Sequence, residues 1–368
     1  MLCNVLWPTR EEAVHVPRGN IRLVFCRECG HILNCAFDQS LMQYTQAYEN
    51  SLHFSPRFQS YAEDLVTRLI ERYELHGKDI IDIGCGKGDF LAMICARGDN
   101  RGTGFDPSYD PDQMDPEASR RMEIIRDFYS PRYAEYKADL ISCRQVLEHI
   151  QHPAEFLHNI QKSIGDRKDT AVFFEVPNVL YTVRDLGIWD IIYEHCSYFS
   201  GLSLSKLFSL CGFTVCELSD LYEGQFLGID ALPGNQRISH AVKNPVSLAE
   251  MSEHVTRFAE RYREKVAHWK QAMEDFASSK KRVVVWGSGS KGVTFLNTFS
   301  SQKVVEYIVD INPRKQGMYV SGSGQKVVAP EFLMEYKPDI VICMNSIYRN
   351  EIEEYLGKLG VRTTVTLA

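Results

Sequence analysis

The stretch Asp82-Ile83-Gly84-Cys85-Gly86-Lys87-Gly88 constrains this chain more than any other. It joins an apolar run, KDIIDIG, to a helix-patterned run, GDFLAMICARG. Glycines at such a junction permit tight backbone geometry, and the first N–H groups of the helix point at whatever lies against the turn. Enzymes that bind NAD share glycine patterns of this kind, so the pattern alone does not name a ligand. Here the spacing is GxGxG, and Asp82 precedes it by two positions. A second acid, Asp106, ends the next strand in GTGFDPS, where a carboxylate can accept from both hydroxyls of a ribose.

Around this turn, strand and helix patterns alternate. FQSYAEDLVTRLIERY reads as a helix; KDIIDIG, GTGFD, MEIIRD, ADLISC and TAVFFEVP read as strands; PAEFLHNIQKSIG is a helix between the last two. Alternation of this sort predicts an α/β fold with a parallel sheet covered on both faces. Residues 247–280 form a long polar helix with sparse apolar positions, the pattern of an element that bridges two domains. A second α/β unit follows: RVVVWG, SKGVTFLNTF, KVVEYIVD and PDIVICMN. The expected organisation is an N-terminal segment (1–54), a cofactor-binding domain (55–245), a helical connector (246–280) and a C-terminal Rossmann-like domain (281–368).

The chain carries 41 basic and 48 acidic residues, a net charge of −7, which speaks against a phosphate-tracking nucleic-acid binder. No apolar run approaches the roughly 20 residues that span a bilayer, and the opening MLCNVLWPTREEA turns charged too early for a signal peptide. Most of the eleven cysteines sit in apolar runs, as buried reduced thiols do. The expectation is a cytoplasmic protein acting on a small molecule, with no membrane or nucleic-acid partner.

In order along the chain, DIGCGKG, GFDPS, Asp127-Phe128 and CRQVLEHI resemble the motifs of the class I S-adenosylmethionine-dependent methyltransferases. That resemblance covers about residues 55–215 and implies a Rossmann-like domain holding S-adenosylmethionine. It assigns Asp82, Gly84, Gly86, Gly88, Asp106 and Gln145 to the cofactor and Asp127 and Phe128 to its adenine, and it makes His149 of LEHI a catalytic candidate that competes with His195. A narrower likeness begins at GIWDIIYEHCSYFSGLSLSKLF and extends from VVVWGSGSKG through DINPRKQGMYVSGSG to MNSIYRNEI. These segments resemble the three-part sugar C-methyltransferases, which methylate carbon beside the ketone of a nucleotide-linked deoxysugar.

That chemistry needs a base to take a carbon-bound proton, and a histidine near neutrality suits the task, with a carboxylate to orient it. The family motif reads Tyr-x-Glu-His. His195 matches the base and Glu194 its partner, while Ile192 fills the tyrosine position and Tyr193 lies one residue later. In extended chain a shift of one residue turns a side chain to the opposite face. The other reading of His195 is a structural histidine against Tyr198 and Phe199.

The resemblance also implies a zinc-binding N-terminal part built on two CxxC pairs. Only Cys26-x-x-Cys29 is present, so a half-site without zinc is expected. In YTQAYENSLHFSPRF, Tyr48 and Phe54 are candidates for a lid over the cofactor. Gly287-Ser288-Gly289-Ser290-Lys291-Gly292, with Asp310 ending the next strand, reads by itself as a dinucleotide fingerprint. It keeps open an NAD-dependent oxidoreductase beside the methyltransferase reading. O- or N-methylation of a small metabolite, and a non-catalytic binding protein, remain alternatives.

Overall fold

The computed structural model describes residues 3–42, 49, 51–110, 120–234 and 246–368. Tyr48 lies outside them. Among the described residues the strands form two seven-stranded sheets and one three-stranded sheet.

The N-terminal segment is shared between the two halves of the molecule. Its first strand, β1 (Leu6–Trp7), pairs antiparallel with the C-terminal half, Leu6 opposite Val320. Its hairpin, β2 (Leu23–Phe25) and β3 (Ile32–Asn34), pairs instead with the central half, Ile32 opposite Tyr198.

The central half begins at helix Pro56–Tyr73. Ser55 caps it by accepting from the Phe58 N–H, and Pro56 fills the first turn, where its missing N–H costs nothing. Then come β4 (Asp79–Ile83), β5 (Arg101–Phe105), β6 (Met122–Ile125), β7 (Leu140–Arg144), β8 (Ala171–Pro177), the short β9 (Ser197–Tyr198), β10 (Phe213–Leu221) and β11 (Phe226–Pro233). The sheet runs β10-β11-β8-β7-β4-β5-β6. The strands from β4 to β8 are parallel, and β11 is inserted antiparallel between β8 and β10. Strand β8, AVFFEVP, is buried on both faces, which is why it reads as a continuous apolar run.

Helix Leu248–Ser278 connects the halves. Ser247 and Glu250 form a capping box at its start. Its buried residues fall at its two ends: Met251 packs with Leu180 and Tyr198, while Trp269 and Met273 pack with Phe295 and Val283. Between these contacts Phe258, Tyr262 and Val266 pack half-buried on the same cores, so the sparse apolar positions form one stripe along the helix.

The C-terminal half contains β12 (Val283–Trp286), β13 (Val305–Val309), β14 (Tyr319–Val320), β15 (Lys326–Val328), β16 (Ile340–Cys343) and β17 (Thr364–Leu367). Its sheet runs β1-β14-β15-β13-β12-β16-β17, parallel except at the β14 and β1 edge. In open α/β sheets, ligands gather beyond the carboxyl ends of the strands. Here the carboxyl ends of both sheets line one cavity: Gln145 after β7 and Pro177 ending β8 on one side, Gly287 after β12, Asp310 after β13 and Met344 after β16 on the other. Tyr222, donating to the Tyr348 hydroxyl at 2.7 Å, and the reciprocal amide pair Gln225–Asn345 at 2.9 and 2.8 Å latch the halves at its rim.

Candidate active site

Three glycines of the β4 turn have positive φ, and each has its own reason to be glycine. A Cβ at Gly84 would strike Val146 at 2.2 Å, and one at Gly88 would strike Ile124 at 2.7 Å. Gly86, at φ 58°, faces open space, with nothing within 4 Å of where a Cβ would stand. Packing explains the outer two; an approaching ligand explains the middle one. Asp106 accepts from the Gly86 N–H at 2.9 Å and from the Ser108 N–H at 2.8 Å, so it closes its own loop as well as standing at the ribose position. Asp82 is buried and accepts from Ser142 Oγ at 2.6 Å; burial raises its pKa to about 6. Beyond β6, the Phe128 ring is 60% exposed, open for stacking, while Asp127 accepts from the Phe128 N–H and pairs with Arg132. An open glycine cradle, an acid at its edge and an exposed ring fit S-adenosylmethionine.

The cavity between the sheets holds about 260 Å³. Its central-half wall includes Gln145, Glu148, His149, Ile192 and His195; its C-terminal wall includes Gly287, Gly289, Lys291, Asn312, Lys315 and Asn345. Gln145 stands at φ 56°, a left-handed conformation rare for a non-glycine residue and typical of functional sites. Its backbone N–H donates to the Glu175 carbonyl at 2.7 Å and its side-chain amide to the Glu175 carboxylate at 3.0 Å, which hold it there. The rings of His149 and His195 meet edge to face, centroids 5.0 Å apart. Glu148, His149 and His195 bring ligand-type atoms within 4.8 Å of one another. His149 Nδ1 lies 2.9 Å from the Glu194 carbonyl, an acceptor only, so Nδ1 carries the proton.

Two family models match the chain: "Methyltransferase domain" over residues 55–218 and "C-methyltransferase C-terminal domain" over residues 237–364. The chain is a class I S-adenosylmethionine-dependent methyltransferase. It is 26% identical over 307 residues to the C-methyltransferase NovU of Streptomyces niveus, spanning 78% of this chain and 71% of that protein. It is 29% identical over 110 residues to a ubiquinone biosynthesis O-methyltransferase of Salmonella paratyphi A, a match of 28% of this chain and 44% of that one. Among solved structures, the dimethyltransferase RosA of Streptomyces davawensis superposes with a TM-score of 0.40 at 19% identity, covering 48% of this chain and 54% of RosA.

Within the methyltransferase, the segment Asp190–His195 splits its side chains between two sides. Ile192 and His195 face the cavity. Tyr193 turns away: its ring packs on Phe37 and its hydroxyl accepts from the Asp38 N–H at 2.8 Å. Glu194 also turns away, fully buried, with its carboxylate accepting from the Cys3 N–H. Neither Tyr193 nor Glu194 therefore stands in the site expected from the sequence, and Glu194 is not the carboxylate partner of His195. The chain turns at Tyr193–Glu194, so these two side chains leave together on the side away from Ile192 and His195. The carboxylate that does reach the histidines is Glu148, its Oε1 3.8 Å from His149 Nε2. Burial raises its pKa to about 8, and Oε2 has no hydrogen-bond partner.

His195 is 9% exposed; burial foremost, then the neighbouring His149 and Lys291, hold its pKa well below the usual histidine range. His149 is likewise lowered by burial, to about 4. At neutral pH both rings are uncharged and Glu148 is largely protonated. Phe54 lines the same cavity under the Arg314 guanidinium, 5.5 Å from its ring centre. At the hairpin, Cys26 and Cys29 form a knuckle in which the Cys26 N–H donates to the His31 carbonyl and the Gly30 N–H to the Cys26 carbonyl. Among the described residues, no third histidine, cysteine or acid joins these two thiols in a metal-sized group. No described helix is long and apolar enough to cross a membrane.

Glu148 lies within the segment CRQVLEHI, yet nothing in that pattern marks it as a site residue apart from its neighbour His149. Asp190, Lys291 and Asn345 have no signal beyond membership in longer motifs. They enter the cavity through the docking of the two halves, a long-range contact.

Proposed function

We propose that this methyltransferase transfers a methyl group to carbon beside the ketone of a small molecule, with a nucleotide-linked deoxysugar as the substrate class and His195 as the general base. One observation carries the reading: a buried, uncharged histidine, whose imidazole can accept a proton, lines the cavity where the carboxyl ends of both sheets meet. S-adenosylmethionine, when bound, supplies the electrophilic methyl group. The chain's own residues hold the cofactor at Gly86, Asp106 and Phe128, exclude water by the latched rim, and present His195 to the acceptor. His195 takes the α-proton; the C–H electron pair becomes the enolate double bond, and the carbonyl pair moves to oxygen.

The nucleotide-linked class is supported by the C-terminal wall. Lys315 is almost fully buried yet faces the cavity, and the glycine turn Gly287–Gly292 opens beside it at the start of helix Ser290–Thr298. A diphosphate is the kind of group such a wall accommodates.

A panel of nucleotide-linked keto-sugars and small ketones, incubated with S-adenosylmethionine and analysed for methylated product, tests this reading. The expected product carries a new carbon–carbon bond. His195→Ala should lose about 10²–10⁴-fold in kcat while binding the cofactor normally. A product methylated on oxygen or nitrogen, with turnover intact in His195→Ala, would replace this reading with a heteroatom methyltransferase.

A further inference from the structure

Removing the α-proton leaves negative charge on the ketone oxygen, and a buried cavity must oppose it. Among the described residues, two cations line the cavity, Lys291 and Lys315. Lys315 stands on the far wall with Asp310, 3.9 Å away. Lys291 differs in its connections. It belongs to the C-terminal half, in the first turn of helix Ser290–Thr298, yet its Nζ lies 2.8 Å from Asp190 Oδ1 of the central half. Asp190 is five residues before His195 in the same segment, and both line the cavity. The side chains of Lys291 and Asp190 keep only 18% and 15% of their exposure. The Tyr181 ring lies 5.6 Å from the ammonium, and the charge of Lys291 is felt at His195.

We propose that Lys291 is the group that stabilises the enolate oxygen of the acceptor, and that Asp190 holds it in position. The inference rests on the C-methylation reading above and assigns a second residue to it. An ammonium has three N–H donors; Asp190 takes one, leaving others for the acceptor. The electron pair that His195 frees from carbon ends on oxygen, and Lys291 meets it from the opposite half of the molecule. Carbonyl carbon and oxygen return to C=O when the methyl group arrives, so Lys291 neither gains nor loses a proton. Catalysis thereby depends on the two halves being docked, since base and cation come from different ones.

The test follows exchange of the α-hydrogen of a nucleoside-diphosphate keto-sugar in D2O, with S-adenosylhomocysteine in the cofactor site, and repeats it with the α-fluorinated analogue. A positioned donor is worth about 10²–10³-fold in rate. Lys291→Met should lose that much exchange and Lys291→Arg far less. The loss should shrink on the fluorinated ketone, whose enolate oxygen carries less charge. The double variant Lys291→Met with Asp190→Asn removes the unpaired buried carboxylate; it should recover thermal stability without recovering exchange. Exchange at the parent rate in Lys291→Met, with His195→Ala inactive, overturns the Lys291 assignment and leaves the base reading standing. Equal losses on both ketones overturn it too, since a merely structural tether would act so. Exchange that survives His195→Ala overturns the base reading, and the Lys291 proposal falls with it.

Discussion

Replacing Glu148 by glutamine keeps the shape of the side chain and removes its titration. Glu148 is 1% exposed, and burial holds its carboxyl protonated to about pH 8 against an ordinary value of 4.5; Glu175 nearby adds to the rise and a backbone hydrogen bond opposes it. Between those two pH values the folded state binds a proton that the unfolded chain has released. The stability that this group contributes is therefore complete below pH 4.5 and is lost as pH climbs through 8. At 1.36 kcal/mol per unit of pKa difference, the loss amounts to about 5 kcal/mol. Glu148→Gln escapes it. In guanidinium unfolding followed by far-UV circular dichroism, the variant should match the parent near pH 4.5 and exceed it by a widening margin up to pH 8. The same variant should bind S-adenosylmethionine normally, because Glu148 is no part of the glycine cradle. A stability gap that stays constant from pH 5 to 9 would show that Glu148 is ionised in the fold, and the burial argument would be wrong.

Asp106→Ala should weaken S-adenosylmethionine binding by about 1.5–3 kcal/mol, the size of hydrogen bonds to a charged group, and unchanged affinity by calorimetry would remove Asp106 from the ribose. Because His195 is held well below the usual histidine range, it stays a free base as pH falls through 6.5. The kcat–pH profile should accordingly stay flat there, and a fall centred near 6.5 would contradict the buried neutral base. Asn345→Ala strands the Gln225 amide at the rim and should cost about 1–2 kcal/mol of stability. It should raise the KM for the acceptor while leaving cofactor affinity alone; loss of both would mean that the latch also shapes the glycine cradle.

The cofactor face is legible in the sequence because it is local. Asp82, Gly84, Gly86, Gly88 and Asp106 lie on two consecutive βα turns, and parallel pairing of β4 with β5 brings them together. The long connector is legible for the same reason, through its length and its sparse apolar positions. The acceptor cavity is only half legible. The motif points to His195, but its expected partner Glu194 is not the right carboxylate, because the chain turns at Tyr193–Glu194 and carries both side chains away from the cavity. Glu148 reaches the histidines because the turn after β7 and the segment before β9 converge, and nothing in the spacing of 148 and 195 announces that. The N-terminal segment reads as a separate part, yet β1 completes the edge of the C-terminal sheet. A two-residue strand has no periodicity from which such a pairing could be read.

The second glycine turn shows where a fingerprint stops being informative. In the central half the Gly86 N–H donates to Asp106 at 2.9 Å and the Ser108 N–H to the same carboxylate at 2.8 Å. In the C-terminal half the Ser288 N–H donates to Asp310 at 2.8 Å and the Asn312 N–H at 2.9 Å. The two modules thus use one local device: an acid at the end of the second strand ties down the turn after the first. That device alone explains why an acid follows the glycines in both, before any ligand is invoked, so the pattern at Gly287–Asp310 does not by itself call for NAD. What separates the modules is what they face. The central turn looks onto open space with an exposed Phe128 beyond it, whereas the C-terminal turn looks into the cavity that His195 lines from the other side. On the C-methylation reading proposed above, a turn in that place belongs to the acceptor side of the cavity, and no redox cofactor is needed to account for it.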